Sequence, residues 1–124
     1  NVIVVIKGPI YVQDLDHNGA IDATDTLSFD IGLPAGAQDT LLTDVEVSIV
    51  SGNGRYVGSP DHRVISGDED LMLESGETVE LTVSAPGDIA SGDRFTVQVT
   101  PAGGPTATVS RVMPPIAEAL TTLY

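Results

Sequence analysis

Four stretches of this chain alternate apolar and polar residues with a period of two. Leu27, Phe29, Ile31 and Leu33 fall on one side, and Ser28, Asp30 and Gly32 on the other. Val45, Val47 and Ile49 alternate with Asp44, Glu46 and Ser48. Val79, Leu81 and Val83 form a third row, and Phe95, Val97 and Val99 a fourth. Side chains of a β-strand point to opposite faces in turn, so each row is the buried edge of a half-solvated strand. Such strands need a second apolar layer to cover them. Turn-forming residues bound the rows: Pro34–Asp39, Ser51-Gly-Asn-Gly54, Ala85-Pro-Gly-Asp88 and Pro101–Pro105. A weak repeat is visible as well: Ser75-Gly-Glu77 opens the third row and Ser91-Gly-Asp93 the fourth.

Other strands are less regular. Val2–Ile6 is continuously apolar and reads as a strand covered on both faces. Lys7-Gly8-Pro9 breaks or bends it, and Ile10–Val12 resumes it. Arg55–Val57 and Arg63–Ile65 are short candidates, and Thr106–Met113 reads as the last strand. After two prolines, Ile116, Leu120 and Leu123 fall at roughly helical spacing, so the tail reads as a short helix or an irregular apolar segment. About seven or eight strands, with turns every ~8–12 residues, predict one all-β domain over residues 1–124: an immunoglobulin-like antiparallel β-sandwich.

The twelve residues from Asp14 to Asp25 carry the chemistry. Asp14, Asp16 and Asn18 occupy positions 1, 3 and 5 of a calcium-type loop, and Gly19 sits at position 6, where the backbone turns sharply. Ala20 at position 7 can offer its carbonyl. Position 8 is the apolar Ile21, position 9 is Asp22 and position 12 is Asp25. Calcium and similar hard divalent cations take six to eight oxygens, and this spacing wraps oxygens around one point. The competing reading is a polar Asp/Asn/Gly turn of the kind that joins strands generally. Neither flank reads as a helix, so the loop would join two strands rather than two helices. The ion would then be structural: it would relieve the repulsion among four carboxylates.

Composition excludes several functions. The chain has 124 residues and no cysteine, which removes disulfides and thiol chemistry. Five basic residues face eighteen acidic ones, for a net charge of −13. Such a surface repels nucleic acid and anionic lipid, and suits a cation-rich setting. The only histidines, His17 and His62, both read as exposed loop residues rather than catalytic bases. Paired His or Cys spacing for zinc is absent. The acidic run Asp68-Glu-Asp70, near Glu74 and Glu77, reads as a solvated loop rather than a second ion site. None of the three asparagines begins a glycosylation sequon. The chain is read as non-enzymatic.

Three features together resemble the outer domain of archaellins, the subunits of the archaeal swimming filament. They are the polar loop leading into Leu27-Ser-Phe-Asp-Ile-Gly-Leu33-Pro-Ala-Gly36, the paired turns at Glu77 and Asp93, and the close Val109-Ser-Arg-Val-Met-Pro114 followed by an apolar tail to Tyr124. The resemblance implies an extracellular structural subunit whose partners are copies of itself or closely related subunits. It also implies an apolar N-terminal helix upstream of Asn1 that would polymerise in the filament core. The alternative is a calcium-stabilised adhesive sandwich at the cell surface.

Overall fold

In a computed structural model, the alternating rows become strands with their apolar sides turned to a common interior. The structure describes all residues except Asn1, Ala23, Asn53, Ser59 and Asp68, Glu69 and Asp70, so the acidic run at 68–70 lies outside the described residues. The strands are β1 (Val5–Gln13), β2 (Thr26–Gly32), β3 (Thr40–Leu41), β4 (Glu46–Ser51), β5 (Gly54–Gly58), β6 (Asp61–Ser66), β7 (Met72–Leu73), β8 (Thr78–Ser84), β9 (Arg94–Thr100), β10 (Ala107–Val112) and β11 (Leu120–Leu123). A single 3-10 turn, Leu42–Asp44, precedes β4.

Two antiparallel sheets form the sandwich. One has the order β11-β1-β2-β8-β6 and the other β10-β9-β4-β5, with β3 and β7 as a separate two-stranded ribbon. The core lies between them. Leu27, Phe29 and Ile31 of β2 and Leu81 of β8 meet Val47 and Ile49 of β4 and Phe95, Val97 and Val99 of β9. Burying one such aromatic or branched side chain stabilises the fold by about 1.5–3 kcal/mol. On the outer faces the intervening positions are largely Ser, Thr, Gln and charged residues, as alternation requires.

The structure departs from the sequence expectation at several points. The two main sheets together hold nine strands, one beyond the eight that the sequence pattern offers, and the added strand is β11. The tail is neither helix nor irregular over its whole length: Leu120–Leu123 pairs antiparallel with β1, placing Ile10 opposite Leu123. Of the helically spaced residues only Leu123 is fully buried. Strand pairing with β1 therefore overrides a three-residue pattern too short to nucleate a helix. Val2–Ile6 is not one doubly covered strand. Strand β1 starts at Val5, and only Val4 of that run is buried. Lys7-Gly8-Pro9 bends β1 without ending it. The register against β2 shifts between Lys7 and Tyr11, and Gly8 takes a positive φ of 68° there, as a bulge demands. His62 lies in β6, not in a turn, though it is exposed.

Three of the strands open on the same local device. At Glu74–Glu77, the N–H of Glu77 donates to the carbonyl of Glu74 at 3.1 Å, and the N–H of Glu74 donates back to the Glu77 carboxylate at 2.8 Å. At Ala90–Asp93 the same two bonds measure 2.9 and 3.0 Å. Gly76 and Gly92 supply the positive φ that each turn needs, at 87° and 91°. The repeat read from the sequence is thus a pair of equivalent turns delivering β8 and β9. A third instance, without its glycine, begins β2: Asp25 N–H to Asp22 carbonyl at 3.0 Å, and Asp22 N–H to Asp25 Oδ2 at 2.9 Å.

Candidate metal centre

The register of β1 and β2 decides where the loop carboxylates go. Gln13 pairs with Thr26, so Asp14 and Asp25 flank the last rung of the hairpin. Val12 and Leu27 point inward; two residues along each strand, Asp14 and Asp25 point inward too. Both are buried at the rim of the core, 3% and 0% exposed. Asp16 then folds over them. Asp14, Asp16 and Asp25 each bring a carboxylate oxygen to within 4.8 Å of the others. Among the described residues this is the group of three acids so placed.

Backbone N–H groups hold the two buried carboxylates rigidly. Asp25 Oδ1 accepts from Leu15 N–H at 2.8 Å and Oδ2 accepts from Asp22 N–H. Asp14 Oδ2 accepts from Gly19 N–H at 2.8 Å, and Gly19 carries a φ of 78°. Asp14 Oδ1 is buried and has no hydrogen-bond partner. An unmatched buried carboxylate oxygen is costly, and a hard cation is the partner its chemistry asks for. Ile21 ties the loop down, buried and bridged to Ile89 through an Ile89 N–H to Ile21 carbonyl bond of 2.9 Å. Asp14 N–H donates to the Ala119 carbonyl at 2.8 Å. A recess of about 190 Å³, lined by Asp14, His17, Gly19 and residues 116–119, opens beside Asp14.

The electrostatics show crowded carboxylates. Burial pushes the Asp14 carboxyl up, but hydrogen bonds from Asp16, Gly19 and Asn18 and the charge of His17 outweigh it, and its pKa falls below the ordinary value. Asp16 moves the other way. Its hydrogen bond to Asp14, then burial and the charges of Asp22 and Asp25, raise its pKa above the ordinary value. The opposite shifts of these two neighbours mark a pair whose titrations are linked. Asp22 is lowered by hydrogen bonds from the side chain and backbone of Thr24.

Of the six residues expected to ligate, the fold draws Asp14, Asp16 and Asp25 together. Asn18 and Asp22 sit around them. The Asn18 amide nitrogen donates to Asp16 Oδ2 at 3.1 Å and to Asp22 Oδ2 at 3.3 Å, while its oxygen accepts from Ala20 N–H at 3.0 Å. For Asn18 to ligate, the amide must rotate to turn its oxygen inward. Ala20 is exposed, held by this bond to Asn18. Thr24 was not anticipated. Its hydroxyl donates to Asp22 Oδ1 at 2.6 Å and to Asp16 Oδ2 at 3.3 Å, and its place between two loop acids was the available signal. His17 is exposed and adopts a left-handed φ of 56°. The arrangement brings oxygen donors together, and among the described residues of the loop no nucleophile is paired with a base.

Comparison with known proteins agrees with this architecture. The chain's fold is similar to that of archaeal flagellin FlaB1 from Methanocaldococcus jannaschii, with a TM-score of 0.79 and 14% identity over 98% of this chain and 97% of that one. It is similar to the chain of the archaeal flagellum of Methanospirillum hungatei strain JF1, with a TM-score of 0.70 and 18% identity over 98% of this chain and 70% of that one. The archaellum periplasmic stator protein complex FlaF and FlaG from Sulfolobus acidocaldarius is more distant, with a TM-score of 0.57 and 16% identity over 87% of each chain. No curated protein matches the chain. The archaeal-type flagellin family matches residues 3–111, nearly the whole of the two-sheet sandwich, and the chain belongs to that family.

Proposed function

We propose that this domain is the outer, solvent-facing part of a structural subunit of the archaeal motility filament, working outside the cell beside copies of itself or closely related subunits. The observation that carries the reading is the family match over residues 3–111. The similarity in fold to a filament chain along 98% of this sequence supports it. The role is mechanical and asks for no catalytic centre. A net charge of −13 suits a surface bathed in salt and cations.

The loop Asp14–Asp25 serves this role as a cation-stabilised staple. Calcium, or another hard divalent ion, is held by Asp14, Asp16 and Asp25, with Asn18, Asp22 and the Ala20 carbonyl completing the oxygen set. Support comes from the three converging carboxylates and the unpartnered Asp14 Oδ1. Because the loop spans the β1–β2 hairpin and contacts both the β8–β9 and β10–β11 connections, ion binding would lock one end of the sandwich.

Immunogold electron microscopy of the source cells, with antibody raised against these 124 residues, tests the filament role. Label along thin external filaments is the expected result. Label spread over the cell surface with bare filaments would discard it in favour of an adhesive sandwich.

A further inference from the structure

The chain distributes its few cations unevenly, and two surfaces at opposite ends of β4 are complementary. Resting on the filament reading above, we infer that these two surfaces join successive copies head to tail. The first is the outer face of the four-stranded sheet near the β4–β5 hairpin. The registers place Arg55 beside Val50, Val50 beside Thr96, and Arg94 beside Val112 on that face, with Val57 next to Ser48. Arg55 and Arg94 are exposed, and so are Val50, Val57 and Val112. The neighbouring positions Ser48, Thr96, Gln98, Thr108 and Ser110 are uncharged, and Glu46 is the acid of this face, at its far end. In a chain with eighteen acids and five bases, a face with two arginines and one carboxylate is exceptional.

The second surface lies where β4 begins. The β3–β7 ribbon exposes Leu41, and Leu71 beside it is exposed as well. Asp39 and Asp44 are exposed on either side of Leu41. Asp39, Leu41 and Asp44, together with Val2, Gln38 and Met72, line a recess of about 240 Å³. A carboxylate pair at an apolar recess matches a guanidinium flanked by valines. Arginine and exposed apolar groups together are the usual chemistry of an interface core. The two surfaces differ, so the contact is heterologous. It lies at opposite ends of one strand, so repetition extends a row instead of closing a pair. The occupant of the Asp39/Asp44 recess is thus the Arg55/Arg94 face of a second copy.

The test uses the full-length chain in its own cells. The variant Arg55→Glu/Arg94→Glu is compared with Lys7→Glu/Arg63→Glu, which changes net charge equally on the other sheet. The first is expected to cut filament number tenfold or more, and the second to leave it near wild type. Asp39→Lys/Asp44→Lys should fail as the first does, and combining it with Arg55→Glu/Arg94→Glu should restore filaments. Because the chain has no cysteine, Val57→Cys gives a reading independent of folding. It should react with a water-soluble maleimide at least tenfold more slowly in intact filaments than in dissociated subunits. Equal filament numbers for both arginine and control pairs, failure of the combined variant, or equal labelling of Val57→Cys in both states would each overturn the contact. Wild-type filaments that the domain antibody does not label would overturn the filament reading instead.

Discussion

The turns at Asp22–Asp25 and Glu74–Glu77 make the same pair of hydrogen bonds and both launch a strand of the five-stranded sheet. Their surroundings differ. Around Glu77 no other acid among the described residues joins a three-carboxylate group, whereas Asp25 has Asp14 and Asp16 folded onto it. The same local device is therefore a complete turn in one place and one wall of a three-carboxylate cluster in the other. What separates them is not the four-residue motif but the eight residues before it, which the hairpin register carries back over Asp25. A carboxylate that begins as a turn cap joins a cluster of like charge when the fold supplies the neighbours.

The largest test of this contrast is Asp25→Asn. It weakens two short, part-buried bonds from backbone N–H groups and removes one carboxylate of the proposed ion site. Unfolding by denaturant should show a loss of about 3 kcal/mol, with no further response to calcium. Calcium added to the unaltered protein comes next. At a hundredfold excess over its dissociation constant, a cation that binds only the folded state adds about 2.7 kcal/mol. A thermal melt should rise accordingly and fall back on chelation; a melt that ignores both treatments breaks the distinction between the two turns. Glu77→Gln should cost about 1 kcal/mol, the worth of one turn hydrogen bond, and leave the calcium-induced shift intact. The smallest effect lies outside both turns. Burial first, and then the charge of Glu80, raise the Asp30 carboxyl pKa against the opposing pull of Arg63 and Lys7. Between the ordinary carboxylate value and that raised value, the folded protein keeps a proton that the unfolded chain has released. Stability should therefore grow as pH falls through this window. Asp30→Asn should flatten that part of a stability-against-pH curve and leave the loop's calcium response unchanged.

The elements legible in the sequence were those whose pattern is local. The rows at Leu27–Leu33, Val45–Ile49, Val79–Val83 and Phe95–Val99 all put their apolar residues inside, because alternation is a property of one strand and needs no knowledge of its neighbour. The loop spacing likewise puts Asp14, Asp16 and Asp25 in one turn, and the fold brings their carboxylates together. What could not be read depends on partners far along the chain. The tail becomes a strand only because β1 presents an edge to it, and its three spaced apolar residues carried a helical pattern of no consequence. β3 and β7 are two residues each and exist by pairing with one another across the first half of the chain and the second. The side of Asn18 that faces the carboxylates was also illegible, since spacing says nothing of which amide atom turns inward.

The seat of β11 against β1 also governs when the sandwich can finish forming. Val12 finds Thr121, and Ile10 finds Leu123, across more than a hundred residues of intervening chain. Until residues 120–123 are free to dock, one side of β1 remains an unpaired ladder of backbone donors and acceptors, open to whatever strand is nearest. Pairings of such long sequence separation are slow to form. The docking of β11 thus bears on how long that edge of β1 stays open to pairing with the wrong molecule, and four residues with few buried atoms exert their influence through time rather than through strength.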